Sequence, residues 1–164
     1  VQLARLAGAS GVALVTRQPG RRALAADLGA TATLDPRAGD VVQRVSGPTG
    51  MFPGGADVVL ECAGTTETFE QSVAMAGRGG TVLVFGVPPQ GTTARVSPFE
   101  IFARELRIIG SYLNPLTHGR AVELVASGQL HLAPLITHRL GLDELPTVIA
   151  SPPTPGEVKV MLLS

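Results

Sequence analysis

The side chains able to do chemistry are few in this 164-residue sequence, and they are poorly spaced for it. Its single cysteine, Cys62, sits in Leu60-Glu61-Cys62-Ala63-Gly64 with no histidine beside it to act as base. It therefore reads as a small buried apolar residue rather than a nucleophile. His118, His131 and His138 share no metal-ligand spacing with cysteine or carboxylate residues, and one cysteine excludes both a disulfide framework and a cysteine-built zinc site. Gly77-Arg78-Gly79-Gly80 could cradle a phosphate, but it falls between a helical pattern and the strand pattern that follows, so it reads as a turn. Neither G-x-G-x-x-G nor G-x-x-x-x-G-K-[ST] occurs. What remains is basic: Arg17, with Arg21 and Arg22 one helical turn on. Guanidinium presents a planar fork of donors to phosphate. Arg22 reads as part of a solvated helix face.

These residues must be positioned by alternating short elements. Val1 to Gly8 reads as a helix end, with Leu3, Leu6 and Ala7 on one face and Gly8 as its stop. Val12 to Thr16 is a strand pattern. Pro19 then suits a first helical turn, Leu24 and Leu28 share a face, and Gly29 ends the helix. Thr31 to Asp35 reads as a strand, and Val41, Val42 and Val45 as a weak helix closed by Gly47-Pro48. Ala56 to Leu60 is the clearest strand, almost continuously apolar, as expected of a parallel strand covered on both faces. Thr66 caps the next helix, on which Phe69, Val73 and Ala76 share a face. Thr81 to Val87 and Leu106 to Gly110 read as buried strands with a short helix, Phe99 to Ala103, between them. A helical face at Ala121, Leu124 and Val125 closes at Gly128. Ile136 to Leu140 reads as a strand, Leu142 to Ala150 as a short helix, Ser151 to Gly156 as a proline-rich loop, and Glu157 to Leu163 as a final strand.

Strand and helix alternating in this way imply an α/β fold with a doubly wound parallel sheet, organised as one Rossmann-like domain over 1–164. Such a unit opens with a strand and a glycine-rich turn that precede the pattern seen here, so the sheet is expected to be incomplete at its amino end. The strands at Val12 and Val58 would then lack their shared neighbour, a gap of roughly 10 Å, too wide for direct hydrogen bonding. Composition excludes other classes. The chain is 45% hydrophobic and 16% charged, against disorder. Thirteen basic residues balance thirteen acidic ones, which supports neither a nucleic-acid partner nor a membrane surface. No apolar run approaches the ~20 residues that span a bilayer. No signal-peptide pattern opens the chain, and the lone cysteine suits a cytoplasmic compartment.

Several segments, in order, resemble the medium-chain, zinc-type alcohol dehydrogenase family. They are Leu28-Gly29-Ala30-Thr31, Ala56 to Gly64, Gly79 to Pro88, Ile109-Gly110-Ser111-Tyr112 and Pro134 to Leu140. The sorbitol and threonine dehydrogenases look similar. The resemblance implies the cofactor-binding portion of an enzyme that moves hydride between an alcohol or carbonyl substrate and nicotinamide. Zinc is expected only in an amino-terminal domain that this sequence lacks. A zinc-independent quinone or enoyl reductase of the same superfamily, and a non-catalytic nucleotide-binding fragment, are the alternatives. No catalytic residue and no metal ligand is assigned, and this chain alone is expected to show no turnover.

The resemblance also implies where a cofactor lies. Cys62, Ala63 and Gly64 line its adenine-ribose side. Phe85, Gly86 and Val87 hold the nicotinamide with backbone groups, and Ser111, Tyr112 and Leu113 meet its carboxamide. Lys159, the only lysine in the sequence, aligns with a basic residue that reaches the pyrophosphate. In this fold a carboxylate ending the second strand binds both ribose hydroxyls and repels a 2′-phosphate. Here that position is Thr16, followed by Arg17 and Arg21, so NADP is expected over NAD. Family likeness further implies homo-oligomers joined at a sheet edge.

Overall fold

The computed structural model describes residues 1–113, 116–152, 154 and 156–163; Pro153 and Pro155 of the proline-rich loop lie outside them. It is built of parallel strand ladders with flanking helices, a Rossmann-like arrangement. The chain divides into two compact units, Val1–Ala38 with Leu116–Ser164, and Gly39–Pro115.

In the first unit, α1 (Gln2–Leu6) leads through Gly8 to β1 (Ala13–Val15). Pro19 opens α2 (Pro19–Asp27), where its missing N–H costs nothing. Gly29, at φ +95°, takes the left-handed turn beyond the helix end. The chain then enters β2 (Ala32–Leu34), parallel to β1, with Leu14 registered on Thr33. Ala25 and Leu34 are the buried apolar residues here. The same unit holds α6 (His118–Ala126), β6 (Ile136–Leu140), a 3-10 turn at Leu142–Glu144, α7 (Leu145–Ala150) and β7 (Lys159–Leu162). β6 and β7 pair in parallel. The expected helix at 142–150 is thus a 3-10 turn running into one α-helical turn and a half.

The second unit is a three-stranded sheet, β3 (Ala56–Glu61), β4 (Ala76–Val84) and β5 (Arg107–Gly110), in that spatial order. Its helices are α3 (Val41–Ser46), α4 (Thr66–Met75) and α5 (Pro98–Ala103). Asp40 caps α3 by accepting from the N–H groups of Val42 and Gln43, and Ser97 caps α5. For α4 the cap is Thr65, not Thr66: its hydroxyl accepts from Thr68 N at 3.1 Å, and Thr68 Oγ1 accepts from Thr65 N at 3.3 Å, a reciprocal capping box. Val73, Ala76, Val82 and Leu106 form the core, with Val59, Phe69, Val96 and Ile101 packed on it. Val82, on the central strand, is 0% exposed.

Two strand expectations are corrected. β3 is covered on one face only: Val59 packs on the core, while Val58 and Leu60 are 59% and 56% exposed. It is also an edge strand of its three-stranded sheet. Gly77 to Gly80, read as a turn, belongs to β4. Ala56 pairs with Ala76 and Val58 with Thr81, so two steps along β3 meet five along β4, and the surplus bulges out at Gly79, φ +73°. Among the described residues β1 pairs with β2 alone and β3 with β4 alone. No helix of the described residues is long and apolar enough to cross a membrane.

Candidate functional site

Ligands in parallel sheets of this kind bind beyond the carboxyl ends of the strands. In the second unit those ends are in register: Glu61 pairs with Val84, and Val84 with Gly110. The three segments that follow, Cys62 to Gly64, Phe85 to Val87 and Ser111 to Leu113, therefore leave the sheet side by side. Nine of the thirteen residues expected to meet a cofactor share this edge.

A residue that the sequence reading passed over organises it. Glu61 is 3% exposed. Its Oε1 accepts from Ala63 N at 2.8 Å, Gly64 N at 2.9 Å and Thr68 Oγ1 at 2.8 Å. Its backbone carbonyl accepts from Phe85 N at 2.9 Å and Gly86 N at 2.7 Å. One residue thus ties the loop after β3 to the loop after β4 and to the first turn of α4. The signal was present in the sequence, a carboxylate ending an apolar strand, where a buried charge requires donors nearby. The glycines match this crowding. A Cβ on Gly86 would lie 2.3 Å from Gly64 N and 2.8 Å from Glu61 Oε2, and one on Gly64 would lie 2.7 Å from Val87 O.

The knot also decides what the loops can offer. Phe85 and Gly86 N–H are spent on Glu61, and Ser111 N donates to Val84 O at 3.0 Å. The N–H groups of Phe85, Gly86 and Ser111 are therefore not available to a ligand. The Phe85, Val87, Tyr112 and Leu113 side chains are exposed around them. Cys62 is exposed rather than buried, which corrects the sequence reading. Partial desolvation of its thiol, and then the Glu61 carboxylate, push its pKa above the ordinary thiol range.

In the first unit, Thr16 leaves β1 with its N–H on Leu34 O at 3.0 Å. The turn into α2 is held by guanidinium groups. Arg22 Nη1 donates to Thr16 O at 2.6 Å and pairs with Asp35 Oδ2 at 3.2 Å. Arg37 grips Asp35 through Nε at 3.0 Å and Nη2 at 2.8 Å, and Nη2 also donates to Arg17 O at 3.0 Å. Arg37, with its hydrogen bonds, then Arg22, with its charge, hold the Asp35 carboxyl well below the usual carboxylate range. Arg22 is thus a structural clamp, not a solvated helix face. Arg37 had no signal in the sequence beyond its type. The Arg17 residue is exposed. Arg21 Nη2 reaches Glu157 O at 3.2 Å, two residues before Lys159, which is exposed at the start of β7. Gln18 Oε1, between these arginines, is buried and accepts no hydrogen bond. Two guanidinium groups, those of Arg22 and Arg37, thus hold the Asp35 carboxylate, while Arg17 is exposed and Arg21 reaches Glu157 O.

The remaining candidates do not assemble into a centre. His118 opens α6, the His131 backbone bonds the side chain of Gln2, and His138 Nδ1 lies 3.0 Å from Thr137 Oγ1. Among the described residues no group of three His, Cys, Asp or Glu could hold a metal ion.

Comparison with known proteins gives the family. Residues 1–127 match the family described as zinc-binding dehydrogenase. A Sinorhizobium meliloti 1021 protein, provisionally described as a zinc-binding dehydrogenase bound to NADP, superposes with a TM-score of 0.97 at 54% identity, over 100% of this chain and 48% of that one. The L-threonine 3-dehydrogenase of Bacillus subtilis (strain 168) is 32% identical over 146 residues, 88% of this chain and 41% of that protein. A Rhizobium meliloti (strain 1021) protein provisionally named a D-xylulose reductase is 36% identical over 115 residues, 68% of this chain and 31% of the relative. The chain thus spans about a third to a half of the relatives it matches.

Proposed function

Because this chain belongs to the zinc-binding dehydrogenase family, we propose that residues 1–164 form the NAD(P)-binding, Rossmann-like portion of an oxidoreductase that moves hydride between an alcohol or polyol and nicotinamide. The observation that carries the reading is the aligned row of loops beyond β3, β4 and β5, knotted by Glu61. The cofactor supplies the hydride-carrying ring; this chain's residues bind and orient it. Phe85 and Gly86 carbonyls fit the carboxamide N–H₂, with Ser111, Tyr112 and Leu113 completing that side. Cys62, Ala63 and Gly64 fit the adenosine side of the same row. Lys159 fits an anionic pyrophosphate. Thr16, Arg17 and Arg21 form a turn that is net positive and carries no carboxylate at the Thr16 position, which favours NADP over NAD. A charge-assisted hydrogen bond to phosphate is worth about 1.5–3 kcal/mol, or one to two decades of preference before solvent screening.

No step is assigned to zinc in this chain, since no group of its described residues fits a metal. The same reading carries a small-molecule substrate, a cytoplasmic location and self-association at a sheet edge. The experiment is a cofactor titration of the intact protein beside the double variant Thr16→Asp with Arg17→Ala, followed by turnover with an alcohol panel. NADP preference is expected to fall toward NAD in the variant. An unchanged preference removes the assignment to this turn, and no turnover with any alcohol or polyol removes the oxidoreductase.

A further inference from the structure

Two consecutive peptide carbonyls at the end of β1 each receive a charged donor, and both donors are held by one carboxylate. Arg22 places Nη1 on Thr16 O and on Asp35 Oδ2; Arg37 places Nη2 on Arg17 O and on Asp35 Oδ2. Asp35 Oδ1 takes the Arg37 Nε–H and also the Arg37 backbone N–H, each at 3.0 Å, so Arg37 is fixed at its root as well as at its tip. The three residues come from the first turn of α2 and the loop after β2, yet they converge on Thr16 and Arg17. Two of the four arginines at this turn are therefore committed to its backbone. The exposed Arg17 is then aimed by a backbone that cannot turn freely, because rotating either peptide plane would break a charge-assisted hydrogen bond.

We propose that Asp35 is a positioning residue for cofactor choice: through Arg22 and Arg37 it fixes the Thr16–Arg17 turn in the conformation that selects a 2′-phosphorylated dinucleotide. The inference rests on the cofactor reading above and deepens it. NAD lacks the 2′-phosphate, so its binding depends less on where Thr16 and Arg17 point. Loss of the clamp is therefore selective, whereas loss of general structure weakens both cofactors alike.

The test is calorimetric titration of the intact protein with NADP and with NAD, for the wild type, Asp35→Asn and Asp35→Glu, with the thermal midpoint measured on each. Asp35→Asn is expected to weaken NADP about tenfold and NAD by less than about twofold. Asp35→Glu is expected to recover part of the NADP loss, and exchange of the Gln18 amide is expected to quicken in Asp35→Asn without any cofactor present. Equal weakening of both cofactors overturns the proposal. Unchanged or tighter NADP binding overturns it too, since the freed arginines would then meet the phosphate themselves. Should Asp35→Asn not fold, Arg37→Lys keeps the charge but loses the fork, and the same selective loss is expected of it. A wild type that binds neither dinucleotide defeats the cofactor reading itself; a wild type that binds, with an unselective variant, defeats only the role of Asp35.

Discussion

The two units face the same task, holding loops in place beyond the ends of parallel strands, and they meet it with opposite electrostatics. In the Gly39–Pro115 unit a buried carboxylate, Glu61, takes its donors from two backbone N–H groups and a threonine hydroxyl. In the other unit a partly exposed carboxylate, Asp35, takes two guanidinium groups, which in turn hold backbone carbonyls. Desolvation separates the two cases. A buried acceptor cannot exchange its partners for water, so each bond it loses leaves an unsatisfied group. The surface network trades its partners for water and ions at little cost, and its contribution is to geometry more than to stability.

That contrast ranks the expected effects. Glu61→Ala strands three donors and is expected to lower stability by about 3 kcal/mol or more, read from the urea midpoint, while Glu61→Gln keeps an acceptor and costs about 1 kcal/mol. Equal losses for the two would mean that the negative charge, rather than an acceptor of the right shape, makes Glu61 matter. Gly86→Ala, whose Cβ would meet Gly64 N at 2.3 Å, is expected to cost about 2 kcal/mol by forcing the loops after β3 and β4 apart. A neutral result would show that the knot yields. The raised pKa of Cys62 is expected to make its alkylation at neutral pH slower than that of a free thiol, with Glu61→Ala restoring part of the rate. The smallest effect on stability belongs to Asp35. Its folded pKa is depressed, so its contribution is present above the ordinary carboxylate range and is withdrawn only as pH falls below about 4. The Asp35 carboxyl carbon, followed by NMR, is expected to stay in its ionised form at about pH 3; titration near the ordinary value would break the contrast with a solvated carboxylate.

Most of the fold was legible because local chemistry and tertiary structure agree. Pro19, Gly29, Gly47 and Gly128 mark helix termini where helices start or stop, and every segment read as a strand contains one. The misses share a cause: they depend on partners that an apolar or capping pattern does not name. Thr81 to Val87 reads as one strand, but β4 stops at Val84 because Phe85 and Gly86 both turn their N–H groups onto Glu61 O. Thr65 displaces Thr66 as the cap, since Thr68 rather than Phe69 sits where a side chain can bond back. Val58 and Leu60 lie on an uncovered face of β3, which an apolar run alone does not reveal. At the site, the resemblance supplied the rows of loop residues, while of the two carboxylates that hold them Glu61 was passed over and Asp35 was read only as the end of a strand. A charge at a strand's carboxyl end acquires meaning only from the donors folded around it.

The central claim is best tested by a crystal structure of the intact protein with NADP bound. The account predicts the nicotinamide ring against Phe85, Gly86 and Val87, its carboxamide on backbone carbonyls of that row, and the 2′-phosphate beside Thr16 and Arg17. Density for the dinucleotide elsewhere, or a 2′-phosphate remote from that turn, would contradict it.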